Sequence, residues 1–217
     1  MYSIRFNNGK TLTPSKIVCV GRNYAKHIEE MKSSRTKDPV LFLKPNSALC
    51  DAGKPLQIPT QHGAVHHEIE LAICIGKGGQ NISRERVPEH IAGFGLALDL
   101  TLRDMQSVAK EKGLPWAVTK GFDGACPVSE FVPAEQVTNA QELDLELKLN
   151  GTLRQKGNTR QMIFTIPALI SYISRFFTLE EGDLILTGTP AGVGPLTSGD
   201  RIEAAIVGVA KTETVVA

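Results

Sequence analysis

Val65-His66-His67-Glu68-Ile69-Glu70-Leu71-Ala72-Ile73-Cys74-Ile75-Gly76 is the stretch from which the fold is read. It is rich in β-branched residues, stops at a glycine and is short for a helix, which predicts a strand. Side chains on a strand alternate between faces. Glu68 and Glu70 therefore point one way, while Ile69, Leu71, Ile73 and Ile75 point the other way into a core. On a helix the two glutamates would sit about 200° apart and share no target. Two carboxylates side by side repel, and a bound cation is one thing that removes the repulsion. The plain alternative is a solvated strand face. A third oxygen ligand from elsewhere in the chain decides between the two.

Asp99 is the candidate for that ligand. Residues 94–100 read as a strand whose end presents Asp99, and a helix is predicted over 101–112, closed by Gly113 and carrying Arg103 and Gln106 on one face. Three carboxylates and no thiolate favour a hard divalent cation, Mg2+ or Mn2+. His66 has the strand parity of the two glutamates, but an iron site needs a second histidine, and after His67 only His90 remains.

Further out, Lys16 to Val20 reads as a buried strand ending at Gly21. Asn23 is then placed to cap a helix over 24–31, followed by a polar, mobile loop to Asp38. On that helix His27 and Glu30 sit three apart and can pair. A carboxylate beside an imidazole orients the ring and raises its basicity, which suits a base acting on water. Glu29 points away from His27 and is set aside. Residues 39–43 make the next strand, and Lys120 lies in a segment, 116–123, that reads as irregular. Residues 143–149 alternate cleanly before Asn150-Gly151, a hairpin signature. The Gly188-Thr189-Pro190-Ala191-Gly192-Val193-Gly194-Pro195 loop lacks the Gly-Lys-Ser/Thr ending of a phosphate loop. It can still offer backbone N–H groups and a hydroxyl to a carboxylate.

Composition narrows the class. The chain has 217 residues, enough for one large domain, and its 24 basic and 23 acidic residues leave a net charge of +1. That balance argues against a nucleic-acid footprint or a polybasic membrane patch. No apolar run approaches the roughly 20 residues of a membrane span, and residues 1–7 lack a signal-peptide core. Cys19, Cys50, Cys74 and Cys126 form no CxxC pair, so reduced thiols in a cytoplasmic protein are expected. Many short strands and few helices predict one β-rich domain over 1–217, with a hairpin at 1–15.

Five motifs in order carry a resemblance: Gly21-Arg22-Asn23-Tyr24-Ala25-Lys26-His27, Leu41-Phe42-Leu43-Lys44-Pro45, His66-His67-Glu68-Ile69-Glu70, Leu98-Asp99-Leu100-Thr101-Leu102-Arg103-Asp104, and Leu186-Thr187-Gly188-Thr189-Pro190. From about Lys16 onward the chain resembles the fumarylacetoacetate hydrolase family, within it the short acylpyruvate hydrolase and oxaloacetate tautomerase branch. The resemblance implies an α+β, β-rich fold, a mixed β-sandwich roll of the family's C-terminal-domain type, in a homodimer. It implies Mg2+ or Mn2+ on Glu68, Glu70 and Asp99, and a water-activating dyad of His27 and Glu30 on a lid spanning 24–38. A catalytic role falls on Lys120, and substrate contacts fall on Arg22, Arg103, Gln106 and Thr189. The chain lacks the separate N-terminal domain of the longer members and their extra aspartate ligand. It also carries Gly121 and Ala191 where other residues are usual.

The expected substrate is a small 2-oxo acid. Because the dyad suits water activation, hydrolysis of the C3–C4 bond of an acylpyruvate to pyruvate and a carboxylic acid is the first expectation. Enol–keto tautomerisation or decarboxylation of oxaloacetate on the same site is the alternative.

Overall fold

The quoted stretch forms two strands in line. In the computed structural model, which describes residues 1–217, Val65–His67 and Ile69–Ile75 are separate strands with Glu68 between them. Ile69–Ile75 pairs antiparallel with Ile91–Leu98, and Val65–His67 pairs antiparallel with Thr101–Leu102. Ile69 faces Leu98 and His66 faces Thr101, so the register carries across the break. The two-stranded ribbon thus passes from one sheet into another at the level of Glu68 and Asp99. The single strand read from the sequence is corrected here. Residue alternation is uniform across Glu68, whereas the break depends on which neighbour lies alongside: Leu184–Leu186 beside one half, Gly194–Leu196 beside the other.

The main sheet has eight strands. Its order is Val40–Lys44, Ile17–Gly21, Leu184–Leu186, Ile69–Ile75, Ile91–Leu98, Cys126–Val128, Leu49–Asp51, with Val132–Pro133 also on Ile91–Leu98. It is mixed: Leu184–Leu186 runs parallel to Ile17–Gly21, and Cys126–Val128 parallel to Leu49–Asp51. A four-stranded antiparallel sheet, in the order Thr152–Asn158, Asp144–Leu149, Arg201–Ile206, Ala210–Val215, completes the sandwich. The turn of its first hairpin has Asn150 at φ 52° and Gly151 at φ 76°, the left-handed pair that a two-residue hairpin loop demands.

All seven residues of Ile69–Ile75 are buried. Ile69, Leu71, Ile73 and Ile75 enter the larger core, with Leu145, Leu147, Ile202 and Ile206 of the second sheet and Leu169, Ile170 and Ile173 of the helix Ile166–Ile173. Ala72 and Cys74, on the face Glu70 shares, enter a smaller core with Cys19, Leu186, Ala97 and Phe131. Hydrophobic burial therefore holds the acid-bearing strand from both sides, and Glu70 is the polar exception on a face otherwise closed.

Three local expectations are corrected. Asn23 does not cap the helix Ala25–Glu30, whose N-cap is Tyr24. Asn23 is fully buried; its amide donates to Thr187 O at 2.8 Å and Phe164 O at 3.2 Å, and its Oδ1 accepts from Phe164 N at 2.8 Å. Backbone groups of distant segments engage both of its side-chain polar atoms in place of the helix N–H groups. The helix predicted from Thr101 spans Arg103–Glu111, because Thr101 and Leu102 are held in the ladder with Val65 and His66. Lys120 ends a short helix, Ala117–Lys120, rather than lying in irregular chain. The N-terminal hairpin pairs Ile4–Arg5 with Thr11–Leu12. All four cysteines are unpaired. No helix is long and apolar enough to cross a membrane.

Candidate metal centre

Ladder geometry brings the acids together. Asp99 N–H donates to Glu68 O at 2.8 Å across the break in the ribbon, and Glu70, two residues on, lies opposite Ala97. One carboxylate oxygen from each of Glu68, Glu70 and Asp99 lies within 4.8 Å of the others, and all three residues are buried. The Gly-Thr-Pro loop runs along the same strand. Thr187 N–H donates to Leu71 O, Gly188 N–H to Glu70 Oε2 at 2.6 Å, and the Thr189 hydroxyl to Ile69 O at 2.8 Å. Gly188 sits at φ +95°, and a Cβ there would come 2.7 Å from Asn23 Cβ, so only glycine aims this N–H at Glu70.

Cations close around the trio. Lys120 Nζ lies 3.0 Å from Glu68 Oε2, 2.5 Å from Asp99 Oδ2 and 2.7 Å from Thr101 Oγ1, and 5.1 Å over the Phe42 ring. Arg103 Nη2 pairs with Glu68 Oε1, and its Nη1 donates to Gln106 Oε1 at 2.7 Å. The fully buried Lys44 lies 2.8 Å from Asp99 Oδ1 and donates to Ala125 O at 3.0 Å and to Lys120 O.

Charge separates the two glutamates. Burial works to raise the pKa of Glu68, but Lys120 and Arg103 outweigh it and hold the carboxyl far below the usual range. Burial pushes Glu70 well up, and the charges of Asp99 and Glu68 push it further. For Lys120, burial favours the neutral amine, yet Asp99 and Glu68 prevail and raise it to about 12. The donor set fits a hard dication: three buried carboxylates, no sulfur, and one carboxyl under strong repulsion that a cation relieves.

The helix Ala25–Glu30 roofs this cavity. His27 is buried with Nδ1 3.2 Å from Glu30 Oε2, and Glu30 Oε1 accepts from Gly192 N–H at 3.0 Å. The predicted pair is formed, and it is fastened to the Gly-Thr-Pro loop. Arg22, at φ 61°, donates to Ser34 O at 3.4 Å across the base of the same segment. His27, Glu68, Glu70, Asp99, Arg22, Arg103, Gln106, Lys120 and Thr189 line one cavity. Glu30 lies behind His27. The histidines of the iron alternative do not converge: His90 Nδ1 bonds Lys77 O at 2.7 Å, His67 Nδ1 bonds Gln155, and neither joins the acid cluster.

Four participants were missed in the sequence. Thr101 falls in the stretch that reads as helix. Lys44 stands in the sequence only within a motif; a lysine at the end of an apolar run, before a proline, is its signal. Lys110 lines the cavity and follows Arg103 and Gln106 at the i, i+3, i+7 spacing of one helix face. Gln155 is fully buried in a solvent-covered hairpin and left no local trace. Its Oε1 accepts from Ile69 N–H at 3.0 Å and from His67 Nδ1 at 3.0 Å, and its Nε2 donates to Thr189 Oγ1 at 2.8 Å and Pro190 O at 2.9 Å. It ties the acid strand to the Gly-Thr-Pro loop. Gln155→Leu leaves these buried groups unpaired, and the expected loss is about 3 kcal/mol of stability, a fall in Tm of roughly 10 °C by calorimetry. An unchanged Tm would show that the tie is dispensable.

Comparisons with known proteins agree with this architecture. The family description "Fumarylacetoacetate (FAA) hydrolase C-terminal" matches residues 16–217. An oxaloacetate tautomerase of Escherichia coli (strain K12) is 54% identical over 189 residues, covering 87% of this chain and 86% of its own. A mitochondrial oxaloacetate tautomerase of Mus musculus is 53% identical over 193 residues, covering 89% and 87%. A mitochondrial oxaloacetate decarboxylase of Dictyostelium discoideum is 48% identical over 197 residues, covering 90% of each. Among solved structures, fumarylpyruvate hydrolase from Pseudomonas aeruginosa, in complex with Mn2+ and pyruvate, superposes with a TM-score of 0.94 at 37% identity, covering 99% of this chain and 95% of its own.

Proposed function

Because this chain belongs to the fumarylacetoacetate hydrolase family, we propose that it is a divalent-metal-dependent oxaloacetate tautomerase. The observation that carries the reading is the buried trio of Glu68, Glu70 and Asp99 at the floor of a cavity walled by cations, a receptor for an anionic 2-oxo acid. Hydrolysis, the first expectation from the sequence, gives way. Relatives at 48–54% identity are oxaloacetate tautomerases and a decarboxylase, whereas the fumarylpyruvate hydrolase stands at 37%.

Glu68, Glu70 and Asp99 would hold Mg2+ or Mn2+, which supplies Lewis acidity toward the 2-oxo carboxylate. The remaining roles are assigned to the chain's own groups. Lys120 stays an ammonium and stabilises negative charge developing on the C2 oxygen. Arg103, held by Glu68 and Gln106, and Thr189, held by Gln155, keep the substrate carboxylate in one orientation. Tautomerisation then moves one proton from the C2 enol oxygen to solvent and takes one from solvent to C3: the O–H bond breaks, a C–H bond forms at C3, and the double bond passes from C2–C3 to C2–O with no carbon–carbon single bond broken.

Hydrolysis remains as a second reading because of one feature, the His27–Glu30 pair above the cavity. There Glu30 orients His27, which takes a proton from water, and the hydroxide adds to C4 of an acylpyruvate. A substrate panel separates the readings. Purified protein with Mg2+ or Mn2+ is expected to accelerate ketonisation of enol-oxaloacetate, followed by loss of enol absorbance, and chelation is expected to stop it. Rapid release of pyruvate from acetylpyruvate, with enol-oxaloacetate untouched, would reverse the assignment.

A further inference from the structure

Arg103, Gln106 and Lys110 form one stripe along the helix Arg103–Glu111, and all three line the cavity above the acids. Their commitments differ. Arg103 is occupied by Glu68 and Gln106, Lys120 by Glu68, Asp99 and Thr101, and Lys44 by Asp99 and backbone carbonyls. Lys110 makes neither an ion pair nor a hydrogen bond; its Nζ sits 5.5 Å over the Trp116 ring, itself part of the cavity wall. Burial, with the charges of Arg103 and Arg22, pushes its pKa down to about 8 against the weaker opposing pull of Glu68.

We propose that Lys110 recognises the far carboxylate of the substrate, so that the site prefers a dicarboxylic 2-oxo acid over a monocarboxylic one. The inference rests on the tautomerase reading and deepens it by naming the residue that selects for the second carboxylate. The near carboxylate and 2-oxo group belong to the acid trio and the groups around it. A ligand that carries a second carboxylate on a short carbon chain presents a further anion to the cavity wall, where Lys110 is the cation whose ammonium has neither an ion pair nor a hydrogen bond. An acylpyruvate ending in an alkyl group offers Lys110 nothing and leaves it among like charges.

The test uses the metal-loaded full chain, with Lys110→Met and Lys110→Arg. The Met side chain keeps the aliphatic packing on Trp116 and removes the charge. For oxaloacetate, Lys110→Met is expected to raise KM about 10–100-fold with kcat within about threefold, and Lys110→Arg to recover most of the loss. A binding arm is read without turnover: oxaloacetate raises the Tm of the wild type more than pyruvate does at equal concentration, and Lys110→Met abolishes that difference. Equal Tm shifts for the two ligands in the wild type, or an oxaloacetate KM unchanged in Lys110→Met, would overturn the role. A wild type that binds oxaloacetate in preference to pyruvate through Lys110 but does not tautomerise it would keep the recognition role and discard the tautomerase reading.

Discussion

Glu70→Gln is expected to depress every activity of the protein together, by at least about a thousandfold, and to abolish the rise in Tm on adding Mg2+ or Mn2+. The substitution keeps the shape of the side chain and an oxygen to accept Gly188 N–H. It removes one of the three negative charges that a hard dication needs. Losing about 4 kcal/mol of metal-dependent stabilisation corresponds to that thousandfold fall. The same change acts in the opposite direction on the metal-free protein. Burial, Asp99 and Glu68 raise the Glu70 pKa in the folded state, so the folded chain binds this proton more tightly than the unfolded chain. The stability from Glu70 is present in full below its unfolded pKa and is lost as pH rises toward the elevated folded value. Metal-free wild type should therefore lose stability relative to Glu70→Gln as pH is raised from about 4.5, and the variant should melt higher at neutral pH. Calorimetry with and without chelator across that range checks both signs. Unchanged metal affinity in Glu70→Gln would remove this residue from the cage.

His27→Ala is expected to separate the two chemistries of the site. Hydrolysis of an acylpyruvate needs a base to activate water, a contribution of about 10²–10⁴-fold, and His27, paired with Glu30, is the base proposed for it. Tautomerisation of oxaloacetate adds no water to carbon. In His27→Ala any acetylpyruvate hydrolysis should fall by about a thousandfold, while ketonisation of enol-oxaloacetate stays within about tenfold of wild type. Parallel loss of both would make the histidine a common acid–base group and join the two reactions in one mechanism. Glu30→Gln should follow His27→Ala in direction, because the single amide oxygen can accept from Gly192 N–H or from His27 but no longer presents an acceptor oxygen to each.

Much of the site was legible because its spacing is local. Glu68 and Glu70 are two apart on extended chain, His27 and Glu30 three apart on a helix, Arg103 and Gln106 likewise, and each spacing puts a pair on one face. Asp99 was found by its position at the end of an apolar run. The groups that went unnoticed meet the site only through long-range packing. Lys44 reaches Asp99 across 55 positions of chain and Gln155 reaches Ile69 across 86, and neither neighbourhood marks them as different from other strand residues. Local logic also misassigned Asn23, whose capping preference yielded to three buried hydrogen bonds from distant backbone. Preference for hydrolysis had the same local origin, because a His/Glu pair three apart is visible in the sequence and suits water activation.

Taken alone, the sequence determined the alternation that buries Ile69, Leu71, Ile73 and Ile75 on one side and aims both glutamates to the other. It also determined the hairpin at Asn150-Gly151, the family, and the residue types of a hard-metal site. Those features depend on side-chain periodicity, turn conformation and donor chemistry, all properties of neighbouring residues. Only the tertiary structure decided that the ribbon breaks at Glu68 opposite Asp99, that Lys44, Lys120 and Arg103 pair with Asp99 and Glu68 but not with Glu70, and that Lys110 is left without an ion-pair partner. Strand register and the pairing of buried charges are settled by which segments the packed core brings side by side, and no local pattern encodes that choice.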